Sequence, residues 1–265
     1  MYDFNYHRPS SVDEAAKLLA GSEDAKLLAG GHTFIPTMKQ RLAQPSDLID
    51  LNGIAELRGV KEASDGLVIG AMTRHGEIAS ADAVKSASPA LAALAEHVGD
   101  PQVRNRGTVG GSISNNDPAA DYPAAIVGLK ATLVTNKREI SGDDFFTGMF
   151  DTALEDDEIL TAIKFPKPGR AAYMKFPNPA SRYAMVGVMV HEQNGEVRVA
   201  VTGAGPCVFR WSEAEQALSS NFSPDALDSL TADDSDLNSD IHGSAAYRAH
   251  LIKVMAKRAV AKILG

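Results

Sequence analysis

Three glycines and a run of small polar side chains occur together in Gly107-Thr108-Val109-Gly110-Gly111-Ser112-Ile113-Ser114-Asn115-Asn116-Asp117-Pro118-Ala119-Ala120-Asp121. Because glycine has no Cβ, the backbone N–H groups of such a stretch can approach an anion closely. The asparagine and aspartate side chains at its end can bind sugar hydroxyls. This stretch therefore predicts a loop that binds a phosphate-containing ligand.

A second stretch of the same character is Leu28-Ala29-Gly30-Gly31-His32-Thr33-Phe34-Ile35-Pro36. A glycine pair beside Ser or Thr is more often an ordinary turn, so either loop alone favours a turn. Two such loops in one chain favour the interpretation that they bind the two ends of one long ligand. Neither loop matches the Walker pattern or the Gly-x-Gly-x-x-Gly dinucleotide motif, so any nucleotide is held by a different architecture.

The two loops resemble the pyrophosphate-binding loops of the FAD-binding medium subunits of molybdenum hydroxylases. That family includes the flavoprotein subunits of aerobic carbon monoxide dehydrogenase, which are the most similar type, and the flavin domains of xanthine dehydrogenases. The resemblance covers essentially the whole chain in order, through Phe4-Asn5-Tyr6-His7-Arg8-Pro9, Ile69-Gly70-Ala71-Met72-Thr73, Asp117-Pro118-Ala119-Ala120-Asp121, Glu158-Ile159-Leu160-Thr161-Ala162-Ile163 and Ala246-Tyr247-Arg248.

The resemblance implies an α+β fold of the PCMH type, also described as vanillyl-alcohol-oxidase-like. In that fold two α/β subdomains bind FAD, and a C-terminal domain adds a small antiparallel sheet and helices. We expect an FAD-binding region over residues 1–166, with subdomains of about 1–55 and 56–166, and a C-terminal flavoprotein domain over residues 170–265. The predicted boundary is Pro166-Lys167-Pro168-Gly169, because proline and glycine interrupt regular structure.

The resemblance also implies which residues bind FAD. Backbone N–H groups and hydroxyls of the two loops should surround the pyrophosphate, and the loop residues concerned are Ala29, Gly30, Gly31, His32, Thr33, Thr108, Val109, Gly110, Gly111 and Ser112. Asn115 and Asp121 should contact the flavin or its ribose portions, and Leu160 should lie on a strand that borders the cofactor. Tyr183 matches an aromatic position near the isoalloxazine ring, although an ordinary buried tyrosine is an equally good interpretation. It follows Arg182, where relatives often have aspartate. No catalytic acid or base and no metal ligand is expected in this chain.

Composition excludes several other functions. The 265 residues include 34 acidic and 26 basic side chains, a formal net charge of −8, and no basic cluster suited to nucleic acid. No apolar run approaches the ~20 residues that span a bilayer, and the N-terminus does not resemble a signal peptide. We expect a soluble, cytoplasmic chain that reaches the inner face of the membrane only through a complex. Cys207 is the one cysteine, so this chain can form no internal disulfide and no cluster held by several of its own thiolates.

The implied function is electron transfer. In the family, electrons pass from a molybdenum centre through two [2Fe–2S] clusters to FAD, and then to a quinone, NAD or oxygen. The molybdenum cofactor and the clusters are expected on partners, namely a molybdenum-binding large subunit and an iron–sulfur small subunit, in a heterotrimer that is doubled in most relatives. The alternatives are a stand-alone FAD oxidoreductase, a medium subunit of a xanthine, aldehyde or heterocycle dehydrogenase, and an assembly protein that has lost the cofactor.

Local patterns predict several elements. Ser10 or Ser11 should cap a helix that Gly21 ends, a helix should cover Thr37 to Leu42, and Asn194-Gly195 should join two strands of a hairpin. A second hairpin should pair residues 131–135 with 138–140. The aromatic residues in 145–150 are expected in the core, residues 219–240 are expected to be solvated or mobile, and residues 245–264 should form the last helix.

Overall fold

The computed structural model describes residues 1–167 and 169–265. Its strands are β1 (Asn5–His7), β2 (Lys26–Leu28), β3 (Asp47–Asp50), β4 (Val60–Ala63), β5 (Gly66–Gly70), β6 (Thr132–Thr135), β7 (Glu139–Ser141), β8 (Phe146–Gly148), β9 (Asp151–Thr152), β10 (Leu160–Pro166), β11 (Arg170–Pro177), β12 (Ala184–Gln193), β13 (Glu196–Thr202) and β14 (Phe209–Arg210).

The helices are α1 (Val12–Ala20), α2 (Phe34–Lys39), α3 (His75–Ser80), α4 (Asp82–Ala87), α5 (Pro89–Glu96), α6 (Pro101–Arg104), α7 (Val109–Asn115), α8 (Tyr122–Gly128), α9 (Gly142–Phe145), α10 (Ser212–Ser220) and α11 (Ala245–Leu264). Short 3-10 turns cover Leu51–Gly53, Ala55–Leu57 and Pro224–Leu227. Over residues 1–167 and 169–265, none of the helices combines the length and the apolar character needed to cross a membrane.

The N-terminal sheet is parallel and has the order β1-β3-β2. Ser11 caps α1 by accepting a hydrogen bond from the backbone N–H of Glu14, and the helix ends before Gly21, as predicted. Ala15 and Leu19 bury the inner face of α1 against the sheet. Parallel strands end at the same edge, and ligands commonly bind beyond the carboxyl ends of such strands. The first glycine loop leaves β2 at this edge.

The second sheet is antiparallel and has the order β4-β5-β10-β6-β7. Its central strand, β10, is also the last of the five in the sequence. Ile69, Leu133 and Ile163 contribute fully buried side chains from three neighbouring strands to the largest core cluster. Helices α5, α7 and α8 add many further buried residues to this core. The predicted hairpin is confirmed by the pairing of β6 with β7.

The third sheet is antiparallel, in the order β11-β12-β13-β14, and helices α10 and α11 cover one face. Asn194 and Gly195 join β12 to β13 with φ angles of +54° and +85°, as a tight hairpin turn requires. This confirms the hairpin. The other face belongs to the same core cluster as the second sheet, to which it contributes Tyr173, Met189 and Ala200. The α+β class and the C-terminal antiparallel sheet with its helices are therefore confirmed.

Three local predictions need correction. Helix α2 runs from Phe34 to Lys39, earlier than the predicted Thr37 to Leu42, because Pro36 lies in the first turn, where its missing N–H costs nothing. Residues 219–240 are partly packed, since Leu227 is fully buried against the C-terminal core. In the aromatic run 145–150, Phe145 is buried but Phe150 is 58% exposed. Of the predicted boundary Pro166-Lys167-Pro168-Gly169, Pro168 lies outside the described residues, and the domain bounds stay a prediction.

Candidate cofactor-binding cleft

The first glycine loop leaves its backbone donors open. In the described chain, the N–H groups of Gly30, Gly31, His32 and Thr33 have no hydrogen-bond acceptor. Gly31 has a φ of +77°, which a residue with a side chain rarely adopts. The carbonyl of Ala29 accepts a hydrogen bond from the Asn52 side chain at 3.0 Å. The loop therefore presents four successive donors, an arrangement that suits an anion.

The second glycine loop uses its backbone donors within the protein. The N–H of Val109 donates to Thr73 O at 3.0 Å, and that of Gly110 donates to Ala71 O at 2.8 Å. The N–H of Gly111 donates to the Thr108 hydroxyl, which caps α7, at 3.1 Å. The N–H of Ser112 donates to the Thr108 carbonyl. Backbone donors were expected from both loops, but in the described chain the N–H groups of Val109, Gly110, Gly111 and Ser112 already donate to protein acceptors.

The two loops meet backbone to backbone. A Cβ on Gly30 would lie 2.3 Å from the carbonyl oxygen of Arg106 and 2.9 Å from Cα of Gly107. A Cβ on Gly111 would lie 3.2 Å from Cβ of Ala29 and 2.9 Å from the Thr108 hydroxyl. Side chains at these positions would force the loops apart. Glycine is therefore required at both positions by the contact between the loops.

A cleft of about 630 Å³ lies along this junction, within the ~300–1,000 Å³ typical of small-molecule sites. Every predicted site residue lines it except Val109, which is fully buried and bonded to Thr73. The predicted residues that the cleft brings together are Ala29, Gly30, Gly31, His32, Thr33, Thr108, Gly110, Gly111, Ser112, Asn115, Asp121, Leu160 and Tyr183.

Asp121 lies at one end of the cleft, in a buried polar cluster. Its two carboxylate oxygens accept hydrogen bonds from the Tyr173 hydroxyl at 2.6 Å and from Lys175 Nζ at 2.9 Å. Burial raises the pKa of Asp121, and the nearby Lys175 charge opposes that rise. Burial and the Asp121 carboxylate raise the pKa of Tyr173. The cluster joins the start of α8 to β11, so residues from both halves of the chain form this part of the cleft.

Tyr183 closes the same end from a loop that Asn178 organises. The Asn178 side chain accepts hydrogen bonds from the N–H groups of Ala180 and Ser181, and its backbone N–H donates to Tyr183 O at 2.8 Å. Tyr183 is 46% exposed, so it is not the ordinary buried tyrosine of the alternative interpretation. Partial burial, together with the Asp117 and Asp121 charges, raises its pKa. Its aromatic face is available to a ligand.

The chain matches two known families over almost its whole length. Residues 2–168 match the FAD binding domain in molybdopterin dehydrogenase, and residues 171–263 match the CO dehydrogenase flavoprotein C-terminal domain. The chain belongs to the FAD-binding medium subunits of molybdenum hydroxylases. This identification agrees with the resemblance that the two glycine loops carry.

Individual relatives resemble this flavoprotein subunit from end to end. It is 37% identical to the carbon monoxide dehydrogenase medium chain of Hydrogenophaga pseudoflava, over 97% of this chain and 96% of the relative. It is 35% identical to the nicotine 6-hydroxylase medium subunit of Paenarthrobacter nicotinovorans, over 96% and 95%. A solved carbon monoxide dehydrogenase from H. pseudoflava, which lacks the Mo-pyranopterin moiety, matches with a TM-score of 0.88, 36% identity and coverage of 99% and 98%.

The cleft of the flavoprotein subunit fits FAD on three observations. Four unpaired backbone donors suit the two negative charges of the pyrophosphate. The absence of side chains at Gly30 and Gly111 lets the two loops approach each other closely along the cleft. The end beyond them combines Tyr183 with Asp121, an aromatic surface beside polar groups, as a flavin ring requires.

Phe150 and His75 are among the cleft residues of the flavoprotein subunit that were not predicted from the sequence. Phe150 lines the cleft with a φ of +55°, an uncommon conformation for a bulky residue. Asn116 holds it there, because Asn116 O accepts from Phe150 N and its side chain donates to Gly148 O and Asp151 O. Asn116 itself is a left-handed cap of α7, a role that asparagine tolerates. His75 lines the cleft beside Gly107, and no short-range pattern marks it.

Proposed function

We propose that this chain binds one FAD in the cleft, with the pyrophosphate between the two glycine loops and the isoalloxazine ring towards Tyr183. The observation that carries the proposal is the row of unpaired N–H groups from Gly30 to Thr33, placed opposite Gly111 and Ser112. Backbone donors form strong hydrogen bonds with anions because the acceptor is charged. The Ser112 hydroxyl and the Asn115 side chain add donors from the second loop.

Bound FAD supplies the redox chemistry, accepting electrons and releasing them to an acceptor. The chain itself holds and orients the cofactor. Leu160 provides an apolar wall, Tyr183 an aromatic one, and Asp121 stays fixed by Tyr173 and Lys175. No residue of this chain has to act as a catalytic acid or base.

We propose further that the chain works in a complex of the carbon monoxide dehydrogenase type. An iron–sulfur small subunit with two [2Fe–2S] clusters would pass electrons to the FAD, and a molybdenum-binding large subunit would oxidise the substrate. The heterotrimer would be doubled. Relatives named for carbon monoxide and for nicotine are almost equally similar to this chain, so the proposal concerns the architecture and leaves the substrate open. We place the two units of the chain at residues 1–166 and 170–265.

The test of cofactor binding is an absorbance spectrum after addition of FAD and desalting. The parent chain should keep a flavin band, and Gly111→Val should lose it, because the valine side chain would meet Ala29 and Thr108. Gly205→Ala is a control for a tolerated glycine substitution, since a Cβ there has only ordinary contacts, the nearest at 3.7 Å. A Gly111→Val protein that folds and binds FAD like the parent would refute the two-loop site.

The test of the complex is co-purification from the native host through a tag on this chain. Iron and molybdenum should elute with the FAD, at two [2Fe–2S] clusters and one molybdenum per flavin, and native mass spectrometry should give the doubled heterotrimer. Elution of the flavoprotein alone, with full FAD and no iron, would favour a stand-alone FAD oxidoreductase instead.

A further inference from the structure

His75 is a buried histidine at the junction of the two glycine loops. Its backbone N–H donates to Gly107 O at 3.1 Å, and a Cβ on Gly107 would lie 2.6 Å from His75 Nε2. The imidazole therefore occupies the place that a side chain at position 107 would take. His75 is only 4% exposed, yet it lines the cleft.

Neither ring nitrogen of His75 has a partner in the described chain. Nδ1 is buried without a hydrogen bond, and none involves Nε2. The nearest aromatic group is Tyr122, whose ring centroid lies 5.2 Å away and whose own hydroxyl is unpaired. A buried polar group without a partner is costly, so such groups in native proteins usually have a specific explanation. His75 is among the residues that line the cleft, so a ligand bound there would lie within reach of the ring.

The surroundings of His75 keep its imidazole uncharged at neutral pH. Burial lowers its pKa to about 4, and the charges of His32 and Arg104 lower it further in the same direction. Tyr122 is the other titratable side chain against the ring, and burial keeps it protonated. A neutral imidazole carries one donor and one acceptor. It can therefore donate a hydrogen bond without a second charge in the site.

We propose that His75 is an additional cofactor-binding residue, whose imidazole hydrogen-bonds FAD where the two glycine loops meet. The inference rests on the proposed function, since it requires FAD in this cleft. It adds a side-chain contact at the place where the two loops meet, and it explains why Gly107 has no side chain. The imidazole needs that space to reach the ligand.

The proposal predicts opposite effects of one substitution on the apoprotein and on the complex with FAD. His75→Leu replaces a buried unpaired polar group by an apolar one of similar size, so the melting temperature of the apoprotein should stay equal or rise. The same variant should bind FAD about 10-fold more weakly or worse, as expected for the loss of one hydrogen bond to a charged ligand. A purely structural role would lower the melting temperature and leave the dissociation constant unchanged.

His191 offers a matched control. It is 2% exposed, its Nδ1 is also buried without a partner, and it does not line the cleft. His191→Leu should therefore leave the FAD dissociation constant within about 2-fold of the parent value, whatever its effect on the melting temperature. FAD titrations followed by flavin fluorescence and thermal unfolding of the apoproteins measure both quantities for both variants. If the isolated parent does not hold FAD, the same titrations are made on the native complex after removal of its flavin.

The outcomes separate this inference from the proposed function. Parent-like FAD affinity in His75→Leu, with binding abolished in Gly111→Val, would overturn the His75 contact and leave the two-loop site standing. Failure of every form, native complex included, to bind FAD would overturn both. If His75→Leu does not fold, ¹⁵N NMR of the parent chain tests the contact between His75 and FAD instead. The His75 Nε2 resonance should shift on addition of FAD, while that of His191 should not, and an unshifted His75 would refute the contact.

Discussion

Gly30→Ala is the substitution that most directly tests how the two loops build the cleft. The added Cβ would lie 2.3 Å from the Arg106 carbonyl oxygen, whereas non-bonded heavy atoms rest ~3.5 Å apart, so the loops must separate by about 1 Å. Both atoms in conflict belong to rigid positions, one a backbone carbonyl and the other a Cβ, so no rotamer change relieves the clash. The displacement falls directly on the open donors from Gly30 to Thr33.

The expected loss in FAD affinity is large. Moving the donors by about 1 Å lengthens hydrogen bonds to the pyrophosphate, and each such bond to a charged group contributes ~1.5–3 kcal/mol. Even one lost bond of ~2.7 kcal/mol weakens binding by about 100-fold. Overpacking should lower the free energy of unfolding of the apoprotein by ~1–3 kcal/mol. The variant should therefore fold and yet release FAD on desalting.

The assay is isothermal titration of the apoprotein with FAD, with urea unfolding in parallel. Gly205→Ala adds the same methyl group where the nearest atom lies 3.7 Å away, and should match the parent in both measurements. An FAD affinity of Gly30→Ala within about 3-fold of the parent would refute the reasoning, since it would mean that the pyrophosphate does not depend on the spacing of the loops.

Three further perturbations test buried charges. The pKa of His75 is about 4 in the folded chain and 6.5 in the exposed state, so unfolding takes up a proton between pH 6.5 and pH 4. The parent should therefore lose ~3 kcal/mol of its free energy of unfolding as the pH falls from 6.5 to 4, whereas His75→Leu should not show this loss. Urea unfolding of the two apoproteins measures both values. Hydrogen bonds from Arg138 lower the pKa of Glu158 to about 2. Arg138→Met should therefore lower the free energy of unfolding by ~1–3 kcal/mol above pH 4.5, and the difference in free energy between variant and parent should shrink as the pH falls towards 2. Lys175→Met leaves the buried Asp121 charge unpaired and should cost ~3–5 kcal/mol at pH 7 in the same assay, and adding Asp121→Asn should recover part of that loss.

The elements predicted correctly from the sequence are those that depend on the backbone conformation of a few neighbouring residues. Glycine pairs, the serine cap of α1 and the Asn194-Gly195 turn each require a particular backbone conformation or hydrogen bond within a few residues. The resemblance of the two loops and of the other motifs, which covers essentially the whole chain in order, then predicted the family and the α+β class. All predicted site residues except Val109 consequently line one cleft.

Long-range pairing accounts for what sequence reasoning missed. β10 inserts between β5 and β6, although more than twenty residues separate it from either strand, and no local pattern encodes that partner. Lys175 reaches Asp121 across 54 positions of the sequence. His75 becomes a cleft residue only because α3 starts beside Gly107. The exposure of Phe150 depends likewise on Asn116, which lies far from it in the sequence.

Residues from both halves of the chain form the part of the cleft around Asp121. Ala119 O accepts a hydrogen bond from Ala184 N at 3.2 Å, and Ala120 O accepts one from the Thr202 hydroxyl at 2.7 Å. Tyr173 and Lys175 bind the Asp121 carboxylate from β11. The segment that follows the second glycine loop is thus fixed by three elements of the C-terminal half. An N-terminal half alone would retain both glycine loops but would leave the carboxylate of Asp121 without its two partners. In the proposed site, the position of the flavin ring, unlike that of the pyrophosphate, would therefore depend on the packing of the C-terminal sheet against α8.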